Sequence, residues 1–198
     1  MQETNLKMSI FHRTFAHLKT VHTHRKLVRQ NCFACGLYKQ GLLHDLSKYG
    51  LSELLPSTHY FQGYRSPYVK EKKVKGYSLG WLHHKGHNKH HWEYWWDIIG
   101  GNWKPIMMPE EYVVESLCDR IAACKVYQKD QYKNSSAYEY FQMSNDGRYM
   151  HPCTATLMTR LLESIRDHGE AFTFKQIKNL RKQNISLYEY YHANENDS

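Results

Sequence analysis

The stretch Gly41-Leu42-Leu43-His44-Asp45-Leu46-Ser47-Lys48 constrains the chain more than any other. It sets an adjacent His-Asp pair among leucines, which predicts a buried helix rather than a solvated loop. A buried Asp is costly unless it is paired or bound to metal. A neutral imidazole and a carboxylate at one point of the backbone are the donors suited to a divalent metal that keeps open positions for water and substrate. A fold that buries this pair must therefore bring other donors to it.

Composition favours helices for that task. Pro numbers 5 and Gly 11 in 198 residues, too few for a turn-rich β fold. The length suits a single domain with its own core, and neither an internal repeat nor a linker divides it. One all-α domain over 1–198 is expected, with a metal-site core over about 10–130 and C-terminal helices over about 152–192 packing on it. The 14 histidines invite a metal reading, while the net charge of +8 suits an anionic substrate such as a phosphate ester. The same charge suits non-specific contact with nucleic acid. Cys32, Cys35, Cys118, Cys124 and Cys153 show no repeated spacing, so buried reduced thiols are expected over a disulfide framework; Cys32-x-x-Cys35 lacks a second half-motif. No basic region precedes a long apolar run at the N-terminus, and no stretch approaches the ~20 apolar residues of a membrane span. The expectation is a cytoplasmic protein without a membrane partner.

In chain order, residues 1–8 are polar and read as loose. Phe11, Phe15, Leu18, Val21, Leu27 and Val28 recur at helical steps and predict a helix from Ile10 to about Leu37, ended near Gly36. His17, Val21, His24 and Val28 share a face of it. The next helix follows Gly41, carries His44 and Asp45, and runs to about Tyr49. Ser52 and Glu53 begin a short turn. Residues 56–76, punctuated by Pro56, Gly63, Pro67 and Gly76, predict a long connection carrying Arg65, Lys70, Lys72, Lys73 and Lys75. Such a basic loop suits either a lid that meets phosphate or a solvated connector.

A helix is then predicted from Tyr77 to about Ile99. It holds the densest chemistry in the chain, Trp81-Leu82-His83-His84-Lys85-Gly86-His87-Asn88-Lys89-His90-His91-Trp92-Glu93-Tyr94-Trp95-Trp96. On a continuous helix His84, Asn88, His91 and Trp95 share one face, and His83, His87 and His90 form a neighbouring row. Gly86 offers a break that would put His87 to His91 on the next segment. The interleaved Trp and Tyr argue for a buried face rather than a surface zinc trap. Gly100-Gly101-Asn102 reads as a turn. Pro109, followed by Glu110 and Glu111, opens a helix to about Gln128 with Asp119 among small and apolar neighbours. Residues 129–151 read as a loop with one helical turn, and 152–168 as a helix closed by Gly169. Thr173 with Gln176 reads as a capping box that opens a helix to about Gln183. Ser186 to His192 read as a short turn.

His24, then His44-Asp45, then the His83–His91 tract, then Asp119 follow one another on four predicted helices. This order resembles the HD-domain superfamily of metal-dependent phosphohydrolases over about residues 10–130, with Leu43-His44-Asp45-Leu46-Ser47-Lys48 the most specific piece. Asn88-Lys89-His90-His91-Trp92-Glu93-Tyr94-Trp95 looks like an uncharacterised small HD-like branch. The spacing of the middle histidines differs from that of the cyclic-dinucleotide phosphodiesterase branch. The resemblance implies a helical bundle with the metal between helices. It implies that His24, His44, Asp45 and Asp119 hold a first metal and that extra histidines hold a second, for which His84 and His91 are chosen. The cofactor expected is one or two divalent ions among Mn, Fe, Zn, Ni, Co or Mg.

Such ions would activate water for attack on a phosphate ester, the substrate being a nucleotide or related small molecule. Lys48, one turn past His44, is placed to meet phosphate. His83 or His87 would protonate the leaving group. Arg120 would bind phosphate or pair with a carboxylate. Two other classes stand beside the hydrolase: a basic module that binds nucleic acid or another partner, and a di-iron oxygenase of the HD type.

Overall fold

The structure is a computed structural model and describes residues 9–192. It is all-α, about 73% helical with one small hairpin. Helix α1 (Ile10–Ala34) buries His17, Val21, His24, Val28, Asn31 and Cys32 along one face, as the shared face of His17, Val21, His24 and Val28 predicts, while Phe11 and Phe15 of the apolar pattern are exposed. Its end is set by Gly36, whose φ of 79° is left-handed. The Leu37 amide donates to the Cys32 carbonyl (2.8 Å) and the Gly36 amide to the Phe33 carbonyl (3.1 Å), a Schellman closure.

The His-Asp pair departs from the expected helix. Helix α2 (Tyr38–Leu43) stops before it, and Asp45 adopts φ 54°, ψ 29° at the head of a 3₁₀ turn over Leu46–Tyr49. His44 and Asp45 are buried on this sharp turn, while Leu42, Leu43 and Leu46 are about half exposed. The orphan carbonyls at the end of α2 are met from α1: Arg25 donates Nε to the His44 carbonyl (2.7 Å) and Nη2 to that of Leu42 (3.2 Å).

The predicted connection over 56–76 is mostly helix: α3 (Leu51–Tyr60) and α4 (Pro67–Lys75) flank a short link. Pro67 takes the first helical turn of α4, where its missing N–H costs nothing, and Gly76 at φ 82° closes it. Pro and Gly thus mark helix ends here rather than a loop. Pro56 sits inside α3.

Helix α5 (Leu79–His87) is capped by the Ser78 hydroxyl, which accepts from the Trp81 amide (3.0 Å). It ends twelve residues before the predicted Ile99. Asn88 leaves the helical region and its side-chain amide donates to the His84 carbonyl (2.8 Å). A 3₁₀ turn over Trp92–Tyr94 follows, then an antiparallel hairpin of β1 (Trp96–Ile99) and β2 (Asn102–Pro105), paired from Trp96↔Pro105 to Ile99↔Asn102. Gly100 and Gly101 both take positive φ, as a two-residue hairpin loop of type I′ requires. The single face shared by His84, Asn88, His91 and Trp95 does not form; His90 and His91 stand on the segment after the break.

Helix α6 (Glu110–Gln128) matches its prediction. Part of the predicted 129–151 loop is helix α7 (Ser136–Ser144). Helix α8 (Pro152–His168) ends at Gly169, which also heads α9 (Glu170–Lys182). The predicted capping box is therefore absent: Thr173 lies inside α9 and donates its hydroxyl to the Gly169 carbonyl (3.1 Å). A short α10 (Leu187–Tyr190) closes the described chain.

The apolar core lies where α6, α8 and α9 meet the end of α1. Leu117, Ile121, Leu157, Leu161, Leu162, Ile165, Ile177 and Leu187 are fully enclosed there. Helix α1 also packs against α2 and α3, and its buried face carries the polar His17 and His24. Among the described residues no helix is long and apolar enough to cross a membrane.

Candidate metal centre

Three segments converge on the first donor set. The turn after α2 supplies His44 and Asp45, α1 supplies His24 from its buried face, and α6 supplies Asp119. Their donor atoms gather within 4.8 Å of one another. His24 Nε2 is 2.8 Å from Asp119 Oδ1 and 3.8 Å from Asp45 Oδ2. His44 Nε2 is 3.3 Å from both carboxylates. The sequence-derived first set is thus brought together in full.

A second set uses the other oxygen of Asp45. His84 Nε2 and His90 Nε2 stand 3.4 and 3.5 Å from Asp45 Oδ1, and His91 completes the group. His84 and His91 were anticipated and His90 was not, because a continuous helix would have turned it away from His84 and His91. The break at Asn88 brings all three to one place, with His90 2% exposed.

These donors are short of partners. His24 Nε2, His44 Nε2, His90 Nε2, His91 Nε2 and both Asp45 oxygens are buried without a geometrically sound hydrogen bond. Buried polar atoms are normally satisfied, and leaving one bare costs roughly 1–3 kcal/mol. Converging bare nitrogens around a shared carboxylate fit divalent cations, and mixed imidazole and carboxylate donors fit transition metals.

The opposite edge of three of the imidazoles, His44, His84 and His90, faces a protein carboxylate. His44 Nδ1–H donates to Glu115 Oε1 (2.8 Å), and His90 Nδ1 lies 3.2 Å from the same oxygen. His84 Nδ1–H donates to Glu53 Oε2 (2.8 Å), which also accepts from the Tyr68 hydroxyl (3.1 Å). Carboxylates placed behind ligating imidazoles fix tautomer and ring angle. Sequence reading passed over both glutamates. Glu115 had a legible signal, standing one turn before Asp119 on the same face of α6; Glu53 had none beyond its place after the His-Asp turn.

The protonation states follow from burial and charge. Burial lowers the pKa of His24 and His84 and lowers that of His91 strongly, which favours the neutral, ligating form. Burial opposes ionisation of Asp45 as well, but the charges of His44 and Lys48 outweigh it and hold the carboxyl well below its usual range. Asp119 is likewise held well down against burial by His24 and His44. Burial raises the Glu53 carboxyl, yet the contact with His84 outweighs it and brings the pKa to about 2. His44 is the exception: burial lowers it, but the Asp45 charge and the nearby Asp119 and Glu115 raise it well above its usual value.

The centre opens into a cavity of about 540 Å³. His24, His84, His91 and Asp119 form part of its wall, and Lys48, Arg65, Lys72 and Arg120 line it with positive charge. Tyr68, Trp81, Trp92 and Tyr127 supply flat apolar surface. Lys48 Nζ lies 2.6 Å from Asp45 Oδ2. Arg120 donates to Asp146 (2.9 Å) and lies over the Phe141 ring, so it takes the carboxylate-pairing role while still facing the cavity. His83 and His87 are not among the lining residues. Their rings stack at 4.0 Å, His83 contacts Glu53 Oε1 (2.9 Å), and His87 contacts the His83 carbonyl (2.7 Å).

The five cysteines are free and buried, as expected of reduced thiols. The basic residues of 70–75 ride on α4 rather than on a loop, and of them Lys72 reaches the cavity.

Residues 13–164 match the model of a family described as "Family of unknown function (DUF5662)". That span contains every donor of the centre. No curated protein and no solved structure matches the chain.

Proposed function

The chain belongs to the DUF5662 family, whose function is unknown, and from its buried centre we propose that it is a metal-dependent hydrolase of a phosphate ester. One observation carries the reading: two sets of buried donors, several of them without a sound hydrogen bond, share Asp45 beside a cavity lined by Lys48, Arg65, Lys72, Arg120 and several aromatic rings. His24, His44, Asp45 and Asp119 would hold one divalent ion, and Asp45, His84, His90 and His91 a second. Bound there, such ions lower the pKa of water and polarise a phosphoryl oxygen. The order of these ligands along the chain resembles the HD-domain superfamily, and that resemblance is what favours phosphate over other esters.

The protein's own groups would divide the remaining work. Lys48 is the cation nearest the donors and would hold a phosphoryl oxygen. Arg65 and Lys72 add positive charge along the wall. The aromatic side chains suit a flat leaving group, and a nucleotide meets both requirements. Glu53 and Glu115 hold the imidazoles. The sequence-derived role for His83 and His87 as leaving-group acids has no support from position, since neither lines the cavity.

Elemental analysis of tag-free protein beside Asp45→Ala, followed by phosphate release from a panel of nucleotides with added Mn²⁺, tests the reading. One or two ions per chain, lost in the variant together with phosphate release, is the expected result. Wild-type protein that binds none of Mn²⁺, Fe²⁺, Zn²⁺, Ni²⁺ or Co²⁺ would overturn it. Bound iron with oxygen-dependent turnover and no phosphate release would move the assignment to a di-iron oxygenase.

A further inference from the structure

We propose that Glu115 couples the two metal positions, so that filling one strengthens binding at the other. The inference rests on the metal reading above but not on the reaction assigned to it. A single oxygen, Glu115 Oε1, faces His44 Nδ1 at 2.8 Å and His90 Nδ1 at 3.2 Å. His44 belongs to the first donor set and His90 to the second. The two rings lie 4.4 Å apart, centroid to centroid. Glu115 is 6% exposed, and α6 fixes its backbone one turn before Asp119, itself a first-set donor.

An imidazole offers Nε2 to a metal only when its proton sits on Nδ1. Glu115 imposes that tautomer on both rings from one atom. An ion bound at the first set pins His44 and therefore pins the Glu115 carboxylate. His90 then meets an acceptor already in place, and the cost of ordering it is not incurred a second time. The link works equally in the other direction, as reciprocity demands.

Asp45 also touches both sets, but with opposite effect. A carboxylate shared between two cations divides its charge, and the cations repel each other. Asp45 alone would make the second ion bind more weakly than the first. Positive coupling must come from another group, and Glu115 is the buried carboxylate that contacts a histidine of each set. The cluster of His44, His90 and Glu115 is not assigned a third ion. Both imidazoles already direct Nε2 to Asp45, and bridging two metals would require each to lose its last proton.

The test is a double-mutant cycle on the full chain, read by metal affinity. Metal-free protein is titrated with Zn²⁺ in competition with a chromophoric chelator, giving the number of ions and their separate affinities. Four proteins are compared: wild type, His24→Ala, Glu115→Ala and the double variant. Wild type is expected to bind two ions. His24→Ala weakens the first set and, through the coupling, lowers affinity at the second set about 5-fold or more. Glu115→Ala lowers affinity at both sets by about 10–100-fold, the usual size for loss of a group behind a ligand. In the Glu115→Ala background only the repulsion across Asp45 remains, so adding His24→Ala leaves the second set no weaker and strengthens it to the extent of that repulsion.

Equal loss at the second set with and without Glu115 overturns the proposal and leaves the metal reading standing. So does independent binding of two ions by wild type. If wild type binds no ion, the metal reading falls and the coupling with it. Glu115→Gln keeps the volume and an acceptor oxygen while removing the charge; it replaces Glu115→Ala if that variant does not fold, with the same pattern expected at smaller size. A role confined to folding would lower the melting temperature of metal-free Glu115→Gln while leaving both zinc affinities unchanged, and that result also overturns the proposal.

Discussion

Helix α6 shows two regions of this molecule side by side. One face sends Val113, Val114, Leu117, Ile121 and Ala122 into the apolar core with α8 and α9. The other sends Glu115 and Asp119 into the metal centre. On the core face, close packing needs nothing from outside the chain. On the centre face, carboxylates and imidazoles crowd together with bare nitrogens between them. The core stabilises the fold by removing apolar surface from water. At the centre the charges of His44 and Lys48 offset the desolvation of Asp45, while bare imidazole nitrogens remain a cost. Apolar packing and the candidate donors are thus carried by separate faces of one helix.

The largest effect is expected at Asp45, the donor common to both sets. Asp45→Ala should abolish metal binding and reduce phosphate release by at least about 10³-fold, about 4 kcal/mol of transition-state stabilisation. The metal-free variant should fold but melt below metal-free wild type, since Lys48 and His44 lose the carboxylate that compensates their charge. A metal-free variant that unfolds would make Asp45 part of the scaffold and blur the division between the faces.

The converse break is in the core. Leu161 is fully enclosed, and Leu161→Ala should cost about 2–5 kcal/mol of unfolding free energy. The fraction that stays folded should bind metal with wild-type affinity. Denaturant titration of metal-free protein, paired with zinc competition on the folded fraction, reads both numbers. A loss of affinity beyond the loss of folded protein would mean that α6 transmits core packing to the centre.

A smaller effect is expected at Lys48, which touches Asp45 and faces the cavity. Lys48→Ala should lower kcat/KM by about 10–10²-fold, in the range of one lost charge-assisted contact to substrate, with both metals retained. If metal content falls as well, Lys48 serves the donors and not the substrate.

How much of this was legible in the sequence differs between the faces in the same way. Helical periodicity marked α1, α6 and α8, which are long enough to repeat their pattern over several turns, even though the buried face of α1 is half polar. It missed α3, α4 and α7, which are short and bounded by Pro, Gly or polar residues that read equally well as loop. At the centre, His24, His44, Asp45, Asp119, His84 and His91 were found from residue type and order, since metal chemistry restricts which side chains can serve. His90 was missed because its role depends on where the chain bends, whereas Glu115 stood one turn before Asp119 on a correctly read helix and its signal was passed over. A helix carried through Asn88 separates His90 from His84, and only the break reunites them. The left-handed turn at Asp45 was missed for a related reason: leucines around a polar pair suggest burial of the whole segment, whereas the turn buries the pair and leaves the leucines out.

The smallest effect tests the border between the two faces. His17 lies on the buried stripe of α1 with His24, two turns before it, yet belongs to neither donor set. Burial, assisted by the Lys48 charge, lowers its pKa to about 4 from an ordinary 6.5. Its Nδ1 is buried without a hydrogen bond, and its ring meets Phe61 edge-on at 5.4 Å. The folded chain therefore keeps His17 neutral while the unfolded chain protonates it below pH 6.5. Between the two pKa values the unfolded state binds more protons, so stability falls as pH falls from about 6.5 toward 4. Taking the metal-free protein from pH 7 to pH 5.5 should cost about 1 kcal/mol through this residue. His17→Phe keeps a ring against Phe61 and removes the titration. Its unfolding free energy should therefore decline less than that of wild type over this interval, by that amount, as read by urea denaturation at both pH values. Identical pH dependence in the two proteins would mean that His17 is hydrated in the folded chain, which would extend the wet, polar region two turns along α1 beyond His24.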